Sequence, residues 1–363
     1  MEKMKKNKSI SISLCMIVKN EEDVIERCLM SVKSLVDEII IVDTGSSDCT
    51  KEIISAYTDF IFDFNWIDDF SAARNFAFSK ATKDYILWLD ADDIITEENI
   101  INFLTLKQAL TRDVDAVSMA YHLAFDQDGN ASFSSWRNRL VKREKQFKWH
   151  GFVHEYLEVN GNTLYSDIAI EHRKENIHNA RNLVIYEKAL KAERLFSPRD
   201  QYYYANECKD HGMYEKAIEW YQKFLNSKEG WVEDNIEACG RMADCYIHLK
   251  NWNEAINCCI NSFHYDAPRG ENCCRLGFLY LQESKFSQAI SWYKLATVVD
   301  SSRLKSPFIN HACHTWLPHL QLCLCYSKLG EFKVAKEHND LAAQYAPNNP
   351  CVKHNQAFFK SII

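Results

Sequence analysis

The sequence predicts an α/β domain followed by an all-α repeat domain. Three observations carry this expectation. Apolar, β-branched strands alternate with helical segments from Ser11 to Leu89, and from Asp200 onward the pattern is almost purely helical with one recurring phrase. Gly (10) and Pro (6) are scarce among 363 residues, which excludes collagen-like, low-complexity and most turn-rich all-β folds.

Ser11–Val18 (SISLCMIV) reads as a buried strand. Asn20 is placed to cap the next helix, with Glu21, Glu22 and Asp23 in its positive first turn. Val24, Cys28, Val32 and Leu35 mark the apolar face of that helix. Glu38–Val42 is the second strand, and the polar turn Asp43–Asp48 follows it. A helix over Thr50–Tyr57, a short strand at Phe60–Phe64 and a helix over Ser71–Ala81 lead to the apolar strand Tyr85–Leu89. That strand ends abruptly in Asp90-Ala91-Asp92-Asp93. Such alternation builds βαβ units and a mainly parallel sheet covered on both faces. Ligands of these sheets bind beyond the carboxyl ends of the strands, where both polar clusters fall. Strand-like segments return at Ala116–His122, Arg139–Lys142 and Ile168–His172, with a turn at Asp126–Asn130 and the segment Trp149–Glu155 among them.

In the second half an aromatic, two residues and an alanine recur, as Tyr214…Ala217, Trp252…Ala255, Phe286…Ala289 and Phe332…Ala335. The alanines are 38, 34 and 46 residues apart. The shortest step is the period of a tetratricopeptide repeat, and the longest equals that period plus an insertion near Ser301–His311. Such arrays bury a core by stacking neighbours and present a concave face to extended partners. A bridging helix over Ala180–Leu195 stops before Pro198. The expected division is a first domain over 1–176, a helical linker over 177–199 and repeats over 200–363.

The formal net charge of -7 argues against a nucleic-acid partner. No apolar run approaches a membrane span, and the basic N-terminus (Lys3, Lys5, Lys6, Lys8) lacks the apolar stretch of an export signal. A cytoplasmic location with reduced thiols is therefore expected for the 14 Cys. Eleven of them lie from Cys208 onward, without zinc-module spacing, and read as small core residues. The alternative for Cys313, His311 and His314 is a metal cluster.

The chemistry sits on the strand-end rim. Asp90-x-Asp92 after a buried strand suits a hard divalent ion that shares its shell with diphosphate oxygens. Asp43 can accept from a base or ribose, while Gly45 and Ser46 let backbone approach phosphate or sugar. Arg74, with Asn75 on the same helix, either contacts base or phosphate or forms a surface ion pair. Glu155, beside His154, is a candidate general base; the alternative is that it orients the acceptor or pairs with an arginine. His154 and His172 read as base partner, third metal ligand or packed histidines.

The four segments LCMIVKNEEDVIERCLMSV, IIIVDTGSSDCT, DFSAARN and YILWLDADD, in this order over Leu14–Asp93, resemble the family 2 glycosyltransferases of the GT-A fold. FKWHGFVHEYL and the attached repeats resemble the subgroup of sublancin-type peptide S-glycosyltransferases. The resemblance implies an inverting transfer from a nucleotide-sugar, a UDP-sugar by expectation, with Mg2+ or Mn2+, to a Cys or Ser side chain of a peptide or protein held by the repeats. It places Val18, Asn20, Glu21, Asp43, Gly45, Ser46, Arg74, Asn75, Asp90 and Ala91 around the nucleotide. It makes Asp90, Asp92 and His172 the metal set and puts Glu155 and His154 on the acceptor side. Arg173 and Lys174 stand where relatives carry glycine and tyrosine. A homodimer is compatible with this reading. The alternatives are a glycosyltransferase of cell-surface glycan assembly and a non-catalytic repeat scaffold.

Overall fold

A computed structural model of the protein describes residues 9–125, 129–173, 180–299 and 309–362. They fall into two compact units, one within 1–124 and 134–179, the other within 125–133 and 180–363.

The first unit begins with β1 (Ile12–Val18), α1 (Ile25–Val32), β2 (Glu38–Asp43), α2 (Thr50–Ser55), β3 (Ile61–Asp63), α3 (Phe70–Lys80) and β4 (Tyr85–Trp88). It continues through β5 (Asp93–Ile94), α4 (Glu97–Ala109), β6 (Ala116–Phe125), β7 (Ala131–Lys142), β8 (Lys148–His150), β9 (Tyr156–Glu158) and β10 (Thr163–His172), with the adjoining ends of β6 and β7, residues 125 and 131–133, counted in the second unit. The sheet order is β3-β2-β1-β4-β7-β6-β10-β5, and β8 and β9 form a separate antiparallel pair. β1 pairs in parallel with β2 and β4, and β2 with β3, so their carboxyl ends open on one edge. Successive side chains of β1 point to opposite faces and both faces are covered, so every residue is buried except Ile17, which is half-buried. Leu14 and Met16 pack with Ile25, Cys28 and Leu29 of α1, while Cys15 packs on the other face with Ala77 of α3.

Two local expectations are corrected. Asn20 does not cap α1: it lies at φ 54°, and the helix starts after Val24 without a side-chain cap. Its amide instead ties two loops together, as described below. α4 was not anticipated between Asp93 and Ala116; its apolar residues are scattered, and Phe103 is its one fully buried side chain.

The second unit contains α5 (Arg181–Lys191), α6 (Pro198–Asp210), α7 (Tyr214–Ser227), α8 (Val232–His248), α9 (Trp252–Asn261), α10 (Gly270–Gln282), α11 (Phe286–Val298), α12 (Trp316–Lys328), α13 (Phe332–Tyr345) and α14 (Pro350–Ile362). Tyr214, Trp252, Phe286 and Phe332 each open the second helix of a packed pair, and Ala217, Ala255, Ala289 and Ala335 are fully buried. Pro198 opens α6, where Ser197 and Asp200 form a reciprocal capping box. The expected insertion near Ser301–His311 lies almost wholly outside the described residues. All the cysteines are buried except Cys49 and Cys351, and His314 Nε2 lies 3.2 Å from Glu271. Among the described residues no metal-ligating cluster includes Cys313, His311 or His314, and no helix is long and apolar enough to cross a membrane.

Candidate active site

The carboxyl end of β2 carries Asp43, which is buried. Its Oδ1 accepts the backbone N–H groups of Gly45 at 2.9 Å and Ser46 at 3.0 Å. Gly45 lies at φ 104°, a conformation that glycine adopts without steric cost. Asp43 Oδ2 is buried with no hydrogen-bond partner among the described residues. Burial raises the carboxyl pKa, but the Ser46 and Gly45 hydrogen bonds and the Lys51 ammonium, 3.6 Å from Oδ1, hold it below the usual range. An ionised oxygen in that state lacks one donor.

The neighbouring loop is stapled to this turn. Val18 O accepts both the N–H of Thr44 at 2.9 Å and its hydroxyl at 3.0 Å. Asn20 N–H donates to Ser46 Oγ at 3.0 Å, and Asn20 Oδ1 accepts from Ser47 N–H at 2.8 Å. Glu21 N–H donates to Thr50 Oγ1 at 2.8 Å. Val18, Asn20, Glu21, Asp43, Gly45 and Ser46 thus form one preorganised rim.

The second cluster follows β4. Arg74 of α3 is buried; its Nη2 donates to Asp90 Oδ1 at 2.6 Å and its Nε to Glu155 Oε1 at 2.5 Å. Arg139 of β7 is fully buried, with Nη1 at 3.0 Å from Asp93 Oδ2 and 4.0 Å from Asp90 Oδ2. The two guanidiniums flank Trp88, at 5.1 Å and 3.9 Å from its ring centroid. Arg74 also lies 4.8 Å from the Trp149 ring, and Arg139 4.3 Å from that of Tyr121. Crowding by protein raises the Asp90 pKa, but Arg74 and then Arg139 outweigh it and hold the carboxyl down to about 2.

The pairing of β5 with β10 sets His172 opposite Asp93. Tyr121 OH donates to Asp93 Oδ1 at 2.9 Å and lies 2.9 Å from His172 Nδ1. That nitrogen is 3.3 Å from Asp92 Oδ1 and 3.5 Å from Asp93 Oδ1. Burial lowers the imidazole pKa, yet hydrogen bonds and attraction to Asp92 and Asp93 prevail and carry it to about 10. Among the described residues, Asp92, Asp93 and His172 are the group whose ligand atoms converge, whereas Asp90, expected in the metal set, gives Oδ1 to Arg74. A carboxylate and an imidazole separated by about the distance of adjacent ligands suit a divalent cation.

Asn75, expected at the nucleotide, is otherwise engaged. Its amide donates to Trp149 O and accepts from Trp149 N–H, both at 2.9 Å, and so anchors the segment that carries Glu155. Glu155 is largely covered and paired with Arg74. His154, beside it, adopts φ 49°. Ala91 is buried between the two acidic residues of the motif. Trp88, Tyr121, Arg139 and Trp149 were not among the sequence-predicted site residues, and Asp93 was placed in the acidic cluster without a role of its own. A charged residue in an otherwise strand-like run was the available signal for Arg139.

Residues 13–176 match the family model described as Glycosyl transferase family 2, so the first unit carries a family 2 glycosyltransferase domain. A TPR repeat-containing protein of Synechococcus elongatus is 37% identical over 147 residues, 40% of this chain and 35% of that one. The SPbeta prophage-derived glycosyltransferase SunS of Bacillus subtilis is 28% identical over 236 residues, 61% of this chain and 55% of that one. The chain thus spans about a third to about half the length of these curated relatives. A solved thermophilic TPR protein of Thermus thermophilus is 14% identical, covers 50% of this chain and 90% of its own, and superposes with a TM-score of 0.37.

Proposed function

We propose that this chain, through the family 2 glycosyltransferase domain of residues 13–176, transfers a sugar from a UDP-sugar to a Cys or Ser side chain of a peptide, with inversion at the anomeric carbon. The observation that carries the nucleotide part is the rim: a buried, unpartnered Asp43 Oδ2 on the same strand-end edge as the Asp90–Asp93 turn. Asp43 accepts from the N–H edge of the base, and the Gly45–Ser46 turn gives the ribose and phosphates room. Asp92 and His172 would hold Mg2+ or Mn2+. Bound there, the ion supplies Lewis-acid stabilisation of the leaving diphosphate.

Arg74 links the two ends of the reaction. Its guanidinium holds Asp90 and Glu155 together, so a diphosphate drawing on Arg74 releases Glu155 to take the acceptor proton. A carboxylate freed of its guanidinium partner has an oxygen open to the acceptor proton. A thiol acceptor lowers the demand on that base relative to a hydroxyl, since its reference pKa is about 8.5. The acceptor class is supported by the resemblance to SunS and by the fused helix-pair array.

Calorimetry with UDP tests the reading. Binding is expected to weaken when EDTA removes divalent cations, and to weaken likewise in Asp92→Asn. UDP affinity indifferent to both changes would remove the cation from the account, and absence of UDP binding would remove the nucleotide-sugar.

A further inference from the structure

Three carboxylates crowd the turn after β4, yet they are not equivalent. Asp90 gives Oδ1 to Arg74 at 2.6 Å, and its Oδ2 stands 4.0 Å from Arg139 Nη1. Asp93 is occupied at both oxygens: Oδ1 accepts from Tyr121 OH at 2.9 Å, and Oδ2 accepts from Asp90 N–H at 2.9 Å and pairs with Arg139 Nη1 at 3.0 Å. Asp92 remains, turned toward His172 at 3.3 Å and retaining 21% side-chain exposure.

Arg139 is the piece the transfer reaction does not otherwise explain. It is 0% exposed, it points Nη1 at the turn, and its Nε and Nη2 have no hydrogen-bond partner among the described residues. A buried guanidinium so thinly hydrogen-bonded is costly unless an anion and aromatic faces offset it. Asp93, Trp88 and Tyr121 are those partners.

We propose that Arg139 is a positioning residue: by saturating Asp93 it withholds that carboxylate from the cation and leaves Asp92 and His172 as the protein's ligand pair. The proposal rests on the nucleotide-sugar reading and refines which groups serve it. Without Arg139, Asp93 Oδ2 keeps only the Asp90 N–H and the carboxylate loses its cationic partner, so it can turn toward a cation beside His172, where its Oδ1 already lies 3.5 Å from the imidazole nitrogen. More ligand charge tightens a divalent ion but also leaves less of its shell open for diphosphate.

The experiment is Mn2+ affinity, read from the free-ion electron paramagnetic resonance signal on the full chain, without any activity measurement. Asp92→Asn and His172→Ala are expected to lose at least the roughly 10- to 100-fold that even the outer-shell partners of a metal ligand cost. The paired variant Arg139→Met/Asp93→Asn removes both partners, so neither buried charge is stranded; it should stay within about threefold of wild type. Arg139→Met alone should bind Mn2+ roughly tenfold tighter through the freed carboxylate, a direction that mere loss of packing does not give, and Arg139→Lys should restore the wild-type value. A double variant that loses Mn2+ as fully as Asp92→Asn makes Asp93 a ligand and overturns the proposal. So does a folded Arg139→Met with unchanged affinity. If that single variant does not fold, the double variant decides. A wild-type chain that binds UDP but no Mn2+ also overturns the proposal while the nucleotide reading stands. The expected Mn2+ pattern in a chain that binds no UDP supports the role of Arg139 and removes the transferase reading alone.

Discussion

Arg74 joins Asp90 to Glu155, and that contact separates two duties of one carboxylate. If Glu155 takes the acceptor proton, Glu155→Gln keeps its shape and a hydrogen-bonding oxygen but removes its basicity. UDP affinity should stay near wild type while transfer falls by about 10²–10⁴-fold, the usual worth of general-base catalysis. Turnover equal to wild type in that variant would assign Glu155 to orientation of Arg74. Asp43→Asn tests the other end of the site. The amide replaces a charged acceptor with a neutral group, so UDP affinity should drop by about 10- to 100-fold, the worth of a charge-assisted hydrogen bond. Calorimetry reads it directly. Asp43 and Asp92 were legible because each follows an apolar run, where an α/β sheet places its ligands. Arg139 and Tyr121 were not, because they reach the site from strands whose partners lie far off in sequence. The bonds of Asn75 to Trp149 were not legible, because its neighbour Arg74 points at the acidic turn whereas the amide, one residue on, reaches a different strand.

At the scale of elements, packing overrides propensity in predictable places. Gly277 lies in mid-helix, where alanine is normally better by about 1 kcal/mol. A Cβ there would stand 2.6 Å from the Tyr293 ring of the paired helix. Gly277→Ala should therefore destabilise the protein by about 1–3 kcal/mol, the cost of overpacking, in a denaturant titration; a stabilised variant would refute the close approach of α10 and α11. A second case depends on pH. His338 of α13 stands with Nδ1 3.1 Å from Nδ1 of His319. Burial first, then the charges of His319 and Lys294, push its pKa down to about 4. The unfolded chain titrates near pH 6.5 and binds more protons between those values, so this contribution is full above about 6.5 and is lost as pH falls toward 4. The melting temperature should fall on acidification through that window, and His338→Gln should fall less; equal falls would exclude this pair as the cause. The aromatic-x-x-Ala phrase marked the start of α7, α9, α11 and α13 because one groove geometry recurs. α4 escaped notice because its apolar residues draw no continuous stripe.

At the scale of the whole molecule, a family 2 domain is fused to an array of helix pairs, and the proposed role of the array is to hold the acceptor. Binding energy remote from the reacting atom serves to position it. A folded chain ending near Pro198 should therefore still bind UDP and hydrolyse a donor slowly, yet fail on a peptide acceptor that the full chain modifies. Equal modification by both would give the repeats another partner. The central claim is that the strand-end rim cleaves a nucleotide-sugar with help from a divalent ion. The most direct measurement is release of UDP from a panel of UDP-sugars by the full-length wild-type chain, with Mn2+ and with EDTA. The account predicts release from at least one donor that EDTA suppresses and that Asp92→Asn lacks. A folded wild-type chain that releases no UDP from any donor, or releases it equally with EDTA and in Asp92→Asn, would contradict it.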